Sequence, residues 1–172
     1  MKEVLKKYAK RYFIDAMGAM ALGLFASLLI GTIFKALGMI PGLSVLVQIG
    51  AGAQAVAGPA MAIAIAVSLK ASPLVTYTCA GVGYLANSLG GAGGPLAVLL
   101  IAIVAAEVGM LVSKKTKIDI LVTPFVTLLV GGLLSAWCAP YIGQLVGLIS
   151  SLIAFAMTQQ PFVMGLRWVM TE

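Results

Sequence analysis

Residues 95–117 read PLAVLLIAIVAAEVGMLVSKKTK. From Pro95 to Val112 the one polar side chain is Glu107. At ~1.5 Å rise per residue a helix over those positions is roughly 27 Å long, close to the thickness of the hydrocarbon core of a bilayer. Lys114, Lys115 and Lys117 follow at once, and lysines clustered behind an apolar span mark its cytoplasmic end. The stretch therefore predicts a membrane-spanning helix with Pro95 outside and Lys117 inside. It also carries one expensive group. An ionisable side chain inside an apolar span faces the bundle interior or an aqueous cavity, because lipid does not solvate it.

Composition extends that reading to the whole chain. Of 172 residues, 62% are hydrophobic and 9% are charged, whereas soluble domains carry about 25% charged residues. So few charges cannot cover a water-facing surface, and the fold class expected is an all-α integral membrane protein with about six transmembrane helices. The net charge of +6 is no nucleic-acid footprint, since the basic residues sit at span ends without interleaved surface aromatics. The chain has no histidine, which removes histidine bases, histidine metal ligands and phosphohistidine. Cys79 and Cys138 fall in predicted spans with no metal-site or disulfide spacing, so they read as small packing residues. No catalytic group, metal site or cofactor is expected.

The organisation expected is a cytoplasmic basic N-terminal helix at 1–12, a transmembrane bundle at 13–157 and a short C-terminal segment at 158–172. Lys2, Lys6, Lys7, Lys10 and Arg11 place the N-terminus inside. In the first span, Phe13 to Leu37, Ala19, Gly23, Ser27 and Gly31 recur every fourth residue and form a small-residue stripe that lets a second helix approach closely. Asp15 lies in its first turn. It reads as a helix-start carboxylate favoured by the dipole, with Arg11 four residues back as a local partner, or as a functional group. A turn around Pro41 leads to Leu43–Leu69, which is too long for one straight span. A break is expected near Gly58-Pro59, because proline removes an interior hydrogen bond.

Lys70 to Pro73 turns the chain inside, with Ser72 an N-cap and Pro73 the first helical residue. The third span, Pro73 to about Leu89, is polar enough to belong in the interior. The glycine-rich NSLGGAGGP of Asn87–Pro95 is either a hairpin or backbone lining a site. A fifth span is expected from Ile118 to Trp137, an outer turn at Cys138–Tyr141, and a sixth stretch to Met157 that spans rather than lying in the interface. Thr158–Pro161 is expected to break it.

Three segments carry a resemblance. DAMGAMALGLFASLLIGTI, AAEVGMLVSKKTKIDILVTPFVTLLVGG and QQPFVMG, with KASPLV between the first two, resemble the membrane permease (EIIC-like) domain of the bacterial phosphotransferase system. The nearest likeness is to its subfamily of perfringolysin regulators. Members are about twice as long, so the resemblance implies an N-terminal half. It also implies a bacterial cytoplasmic membrane, passage of a small polar solute such as a sugar, a homodimer, and cytosolic phosphotransferase subunits as partners that carry the phosphoryl group. The side chains able to hydrogen-bond a solute from the interior are Glu107, Asn87 and Gln54. Two other classes fit the same size and helix faces: the substrate-binding membrane subunit of a vitamin-type importer, and a regulatory or scaffold membrane protein that transports nothing.

Overall fold

A computed structural model of the chain describes residues 3, 8, 10–113, 115 and 118–169, with side chains through 155 and at 157. The expected basic helix at 1–12 lies mostly outside these residues, as do Lys2, Lys6, Lys7, Lys114 and Lys117. The described elements are helices: α1 (Lys10–Leu37), α2 (Ser44–Ala55), α3 (Ala57–Ser68), α4 (Pro73–Gly90), α5 (Gly94–Val112) and α6 (Asp119–Val169). Three continuous helical stretches are long and apolar enough to cross a membrane: Lys10–Leu37, Pro73–Val112 and Asp119–Phe155. The α2/α3 pair is a fourth if its two bent halves count as one span.

The second of those stretches is a hairpin. Ser113 Oγ donates to Ser72 Oγ at 3.2 Å, which brings the two ends of a 40-residue stretch together. The reversal is made by a 3-10 turn at Gly91–Gly93, with Gly91 at φ 49°. Only glycine takes that conformation without cost. The glycine-rich segment is thus a packed hairpin rather than a loose one: a Cβ on Gly93 would meet the Ile142 carbonyl oxygen of α6 at 2.9 Å. Ser72 does occupy the N-cap position of α4, but its hydroxyl makes no cap bond. It accepts from Ser113 instead, while its carbonyl accepts from the Thr76 N–H.

Neighbouring passes run in opposite directions. Gly23 of α1 abuts Ala60 and Met61 of α3, Gly31 abuts Gly50 and Gln54 of α2, and Gly38 abuts Val47, so α1 and the α2/α3 pair zip together antiparallel. The small-residue stripe of α1 is this contact. The α2/α3 pair bends by 46° between Ala55 and Ala57. Pro59 lacks the N–H that would bond the Ala55 carbonyl, so the helical ladder fails at that point. The break falls one turn before the proline. Beyond the bend α2 packs on the far half of α1 and leaves α4, α5 and α6. The core lies at the crossing of α3, α4, α5 and α6, around Met61, Ile65, Val75, Val82 and Val98, with alanines at most remaining positions. In lipid there is no hydrophobic drive between helices, so close backbone approach through small residues supplies the attraction.

The last helix departs from expectation. The expected outer turn at Cys138–Tyr141 and the break at Thr158–Pro161 are both absent, and α6 is continuous from Asp119 to Val169. A sixth pass formed by Tyr141–Met157 is therefore not present among the described residues. Pro140 removes one backbone bond, but the helix is held on both sides of it: Ala139 is fully buried, and Gly143 lies against the Gly90 carbonyl. Below them Thr123, Thr127 and Ser135 are buried at four-residue spacings or multiples of it. Each hydroxyl is satisfied within α6, by the Asp119 carboxylate, the Thr123 carbonyl and the Gly131 carbonyl respectively. Buried polar atoms without such partners would be costly in lipid.

Candidate functional site

Most of the described charged residues gather at one end of the bundle, called here the basic end, where α1 begins, α3 ends and α5 ends; Lys35 lies at the other end of α1. Glu107 sits there on the last turns of α5. Tyr12 Oη donates to its Oε1 at 2.8 Å, and Arg11 Nη2 lies 3.3 Å from the same oxygen. Arg11 Nη2 also donates to the Leu69 carbonyl at 2.9 Å, one of the orphan carbonyls that close a helix. One guanidinium thus ties the start of α1 to the ends of α3 and α5. It stacks over Tyr12 at 5.6 Å, and Tyr12 in turn stacks on Tyr8. The α1 segment that supplies these groups, Lys10–Asp15, is π-helical, a conformation found mostly as short insertions at functional positions. The local Arg11–Asp15 pair suggested by sequence spacing is replaced: among the described residues the ion pair of Arg11 is with Glu107.

A cavity of about 560 Å³ opens beside this cluster, between the start of α1 and the end of α3. Lys10, Arg11, Asp15, Ser68, Lys70 and Met110 line it. Lys70 has φ 58° and closes α3 in the left-handed position usually taken by glycine or asparagine. The Ala71 N–H reaches back to the Ala66 carbonyl at 3.0 Å across it.

The other two candidate residues lie elsewhere. Asn87, half-buried on α4, packs where α3 and α5 both come close: hypothetical Cβ atoms on Gly58 and Gly94 would meet its Cβ at 2.7 Å and its Oδ1 at 2.5 Å. Gln54 ends α2 just before the bend. Its amide bridges α1, donating through Nε2 to Thr32 Oγ1 at 2.9 Å and accepting from Lys35 Nζ. Lys35 is therefore anchored by Gln54 rather than merely extended toward an interface. Gln54 lies one turn before Gly58 along the bent pair, and Asn87 packs against Gly58 from α4. Roughly 20 Å of helix separates Gly94 from Glu107, so the three candidates do not converge. The sequence offered no sign of Tyr12 as the donor to Glu107. Arg11 was visible as one of five basic residues ahead of the first span and as a local partner for Asp15, not as the partner of Glu107.

No group of three or more acidic, cysteine or histidine side chains able to hold a metal occurs among the described residues. Cys79 is buried and Cys138 exposed, and both are free thiols. The arrangement offers hydrogen-bonding groups at separate depths of a helical bundle.

A family model described as "Phosphotransferase system, EIIC" matches residues 14–168. No curated protein and no solved structure matches the chain.

Proposed function

The chain belongs to the phosphotransferase system EIIC family, and from that premise we propose that it is a membrane permease-type domain for a small polar solute, most simply a sugar. The observation that carries this reading is the family match over residues 14–168. The bundle adds support of a physical kind. It holds a carboxylate, an amide pair and a helix broken at Val56, the features by which helical permeases present hydrogen-bonding groups to a solute at depth. Glu107, Asn87 and Gln54 remain the proposed solute contacts, now divided between the basic end and the bend. We place the protein among the perfringolysin-regulator branch of the family and read it as the N-terminal half of the permease unit, working as a homodimer. Phosphorylation of the solute is assigned to cytosolic partner subunits, because the sequence supplies no histidine.

The experiment is a thermal-shift screen of the purified full chain against neutral sugars and against vitamins. Stabilisation by a sugar and none by vitamins is the expected result. A vitamin hit, with co-purification of an ATPase pair, points instead to the importer subunit. No hit from either class favours a regulatory membrane protein.

Orientation has its own test. The basic end is proposed to face the cytoplasm of a bacterial cell. A single cysteine placed at Lys115, with Cys79 and Cys138 replaced by serine, should resist a membrane-impermeant maleimide on intact cells and label fully after lysis. Labelling from outside would invert the topology.

A further inference from the structure

We propose that the cavity at the basic end is a binding site for a phosphate group. Its volume of about 560 Å³ falls within the range of roughly 300–1,000 Å³ typical of ligand pockets. Three cations face it, from two different elements: Lys10 and Arg11 on α1, and Lys70 at the end of α3. The carboxylates in reach are Asp15, which also lines it, and Glu107, which takes part of the charge of Arg11. Lys10 and Lys70 make no ion pair or hydrogen bond with a described side chain. Arg11 spends only Nη2 on Leu69 and Glu107, which leaves the donors of Nε and Nη1 available. Guanidinium forks and lysine ammonium groups are the standard donors to phosphate oxygens; the Ser68 hydroxyl at the rim is already donated to the Ile65 carbonyl at 2.8 Å.

Position favours the same ligand. Phe13 and Ile14, on the turn that carries the cluster, are exposed apolar side chains, while Tyr8 and Tyr12 stack beside them as residues of an interfacial belt do. The cavity therefore sits at headgroup level, and basic pockets between membrane helices at that level recognise lipid phosphates. Lys70 is informative in a second way. A non-glycine residue in the left-handed region is strained, yet a lysine stands where glycine would relieve the strain. Retaining it puts an ammonium at the cavity mouth. The phosphate can belong to an anionic lipid of that leaflet or to a soluble phosphate ester.

The test uses the full chain, delipidated in detergent, and native mass spectrometry. The probes are phosphatidylglycerol, phosphatidylcholine and inorganic phosphate. Phosphatidylglycerol retained above phosphatidylcholine and not displaced by millimolar-scale phosphate assigns the site to lipid. Displacement by phosphate assigns it to a soluble ester. No preference for phosphatidylglycerol and no bound phosphate overturns the proposal. Lys70→Gly should raise thermal stability, by removing the strain, and at the same time lower retention about fivefold, the effect of one cation near a membrane surface. Lys10→Gln changes an exposed side chain and should lower retention by a similar factor, whether or not the Lys70 variant folds. Asp15→Asn should raise it. Unchanged retention in both lysine variants, or a loss in Asp15→Asn, would sink the idea.

Discussion

Gly83→Ala should cost the protein most or all of its folded yield, although it adds a single methyl group. Gly83 of α4 and Gly58 of α3 face each other backbone to backbone. A Cβ on Gly83 would sit 2.5 Å from the Ala62 Cβ and 2.9 Å from the Gly58 carbonyl carbon, and one on Gly58 would sit 2.5 Å from the Gly83 carbonyl oxygen. Neither obstacle is the end of a flexible side chain, so two helices must move apart. Overpacking a core costs typically about 1–3 kcal/mol, and more where nothing can rotate away. Separation here would also open the packing around Val82 and Ala62, which are fully buried. The control is Gly52→Ala on α2, where an added Cβ meets nothing within 4 Å. Alanine is the better helix former by roughly 0.5–1 kcal/mol, so this variant should match or exceed the parent. The measurement is monodisperse yield and melting temperature in detergent. Equal behaviour of the two variants would mean that α3 and α4 do not meet as described.

Glu107→Gln should leave the fold intact and sharply weaken solute binding. The amide keeps an oxygen for the Tyr12 hydroxyl, so the hydrogen bond survives and only the charge is lost. The ion pair with Arg11 is part-exposed, with 39% and 32% of the two side chains accessible. Water at this end screens it, and its contribution to stability is about 1 kcal/mol or less. A solute hydroxyl bonded to a carboxylate is worth roughly 1.5–3 kcal/mol, so its loss should weaken binding by about tenfold or more. Arg11→Gln provides the contrast. It removes the guanidinium that joins α1 to the ends of α3 and α5, and it leaves Glu107 without its counter-charge. It should therefore destabilise more than Glu107→Gln does. The double variant, Arg11→Gln with Glu107→Gln, should recover part of that loss, because no uncompensated carboxylate remains. A well-folded Glu107→Gln variant that binds solute normally would remove Glu107 from the solute path and leave it as the partner of Arg11.

Much of the architecture is written in local chemistry. Pro95–Val112 could only be a helix in lipid, because its single polar side chain leaves nothing to interact with water and its backbone must satisfy itself. The bend at Val56 follows from Pro59, whose missing N–H acts on a residue four positions earlier. The hairpin at Gly91–Gly93 follows from glycines that tolerate a positive φ. The stripe of Gly23, Ser27 and Gly31 announced a close helix contact, and the antiparallel packing of α1 on α2 and α3 is that contact.

What the sequence left undecided depends on which surfaces meet. Pro140 carries the same local signal as Pro59, yet α6 runs through it. Ala139 and Gly143 are clamped on the α4–α5 turn, and no property of residues 138–141 alone records that clamp. Thr123, Thr127 and Ser135 look like scattered polar residues until α6 is laid against α4 and α5. The partners of Glu107 were hidden for the same reason. Arg11 and Tyr12 lie 96 and 95 positions away, and helical spacing favoured Asp15 for Arg11. A span is determined by its own composition, because lipid acts on each residue separately. A pair across helices is determined by rotation and depth, and those are set only when every helix has found its neighbours.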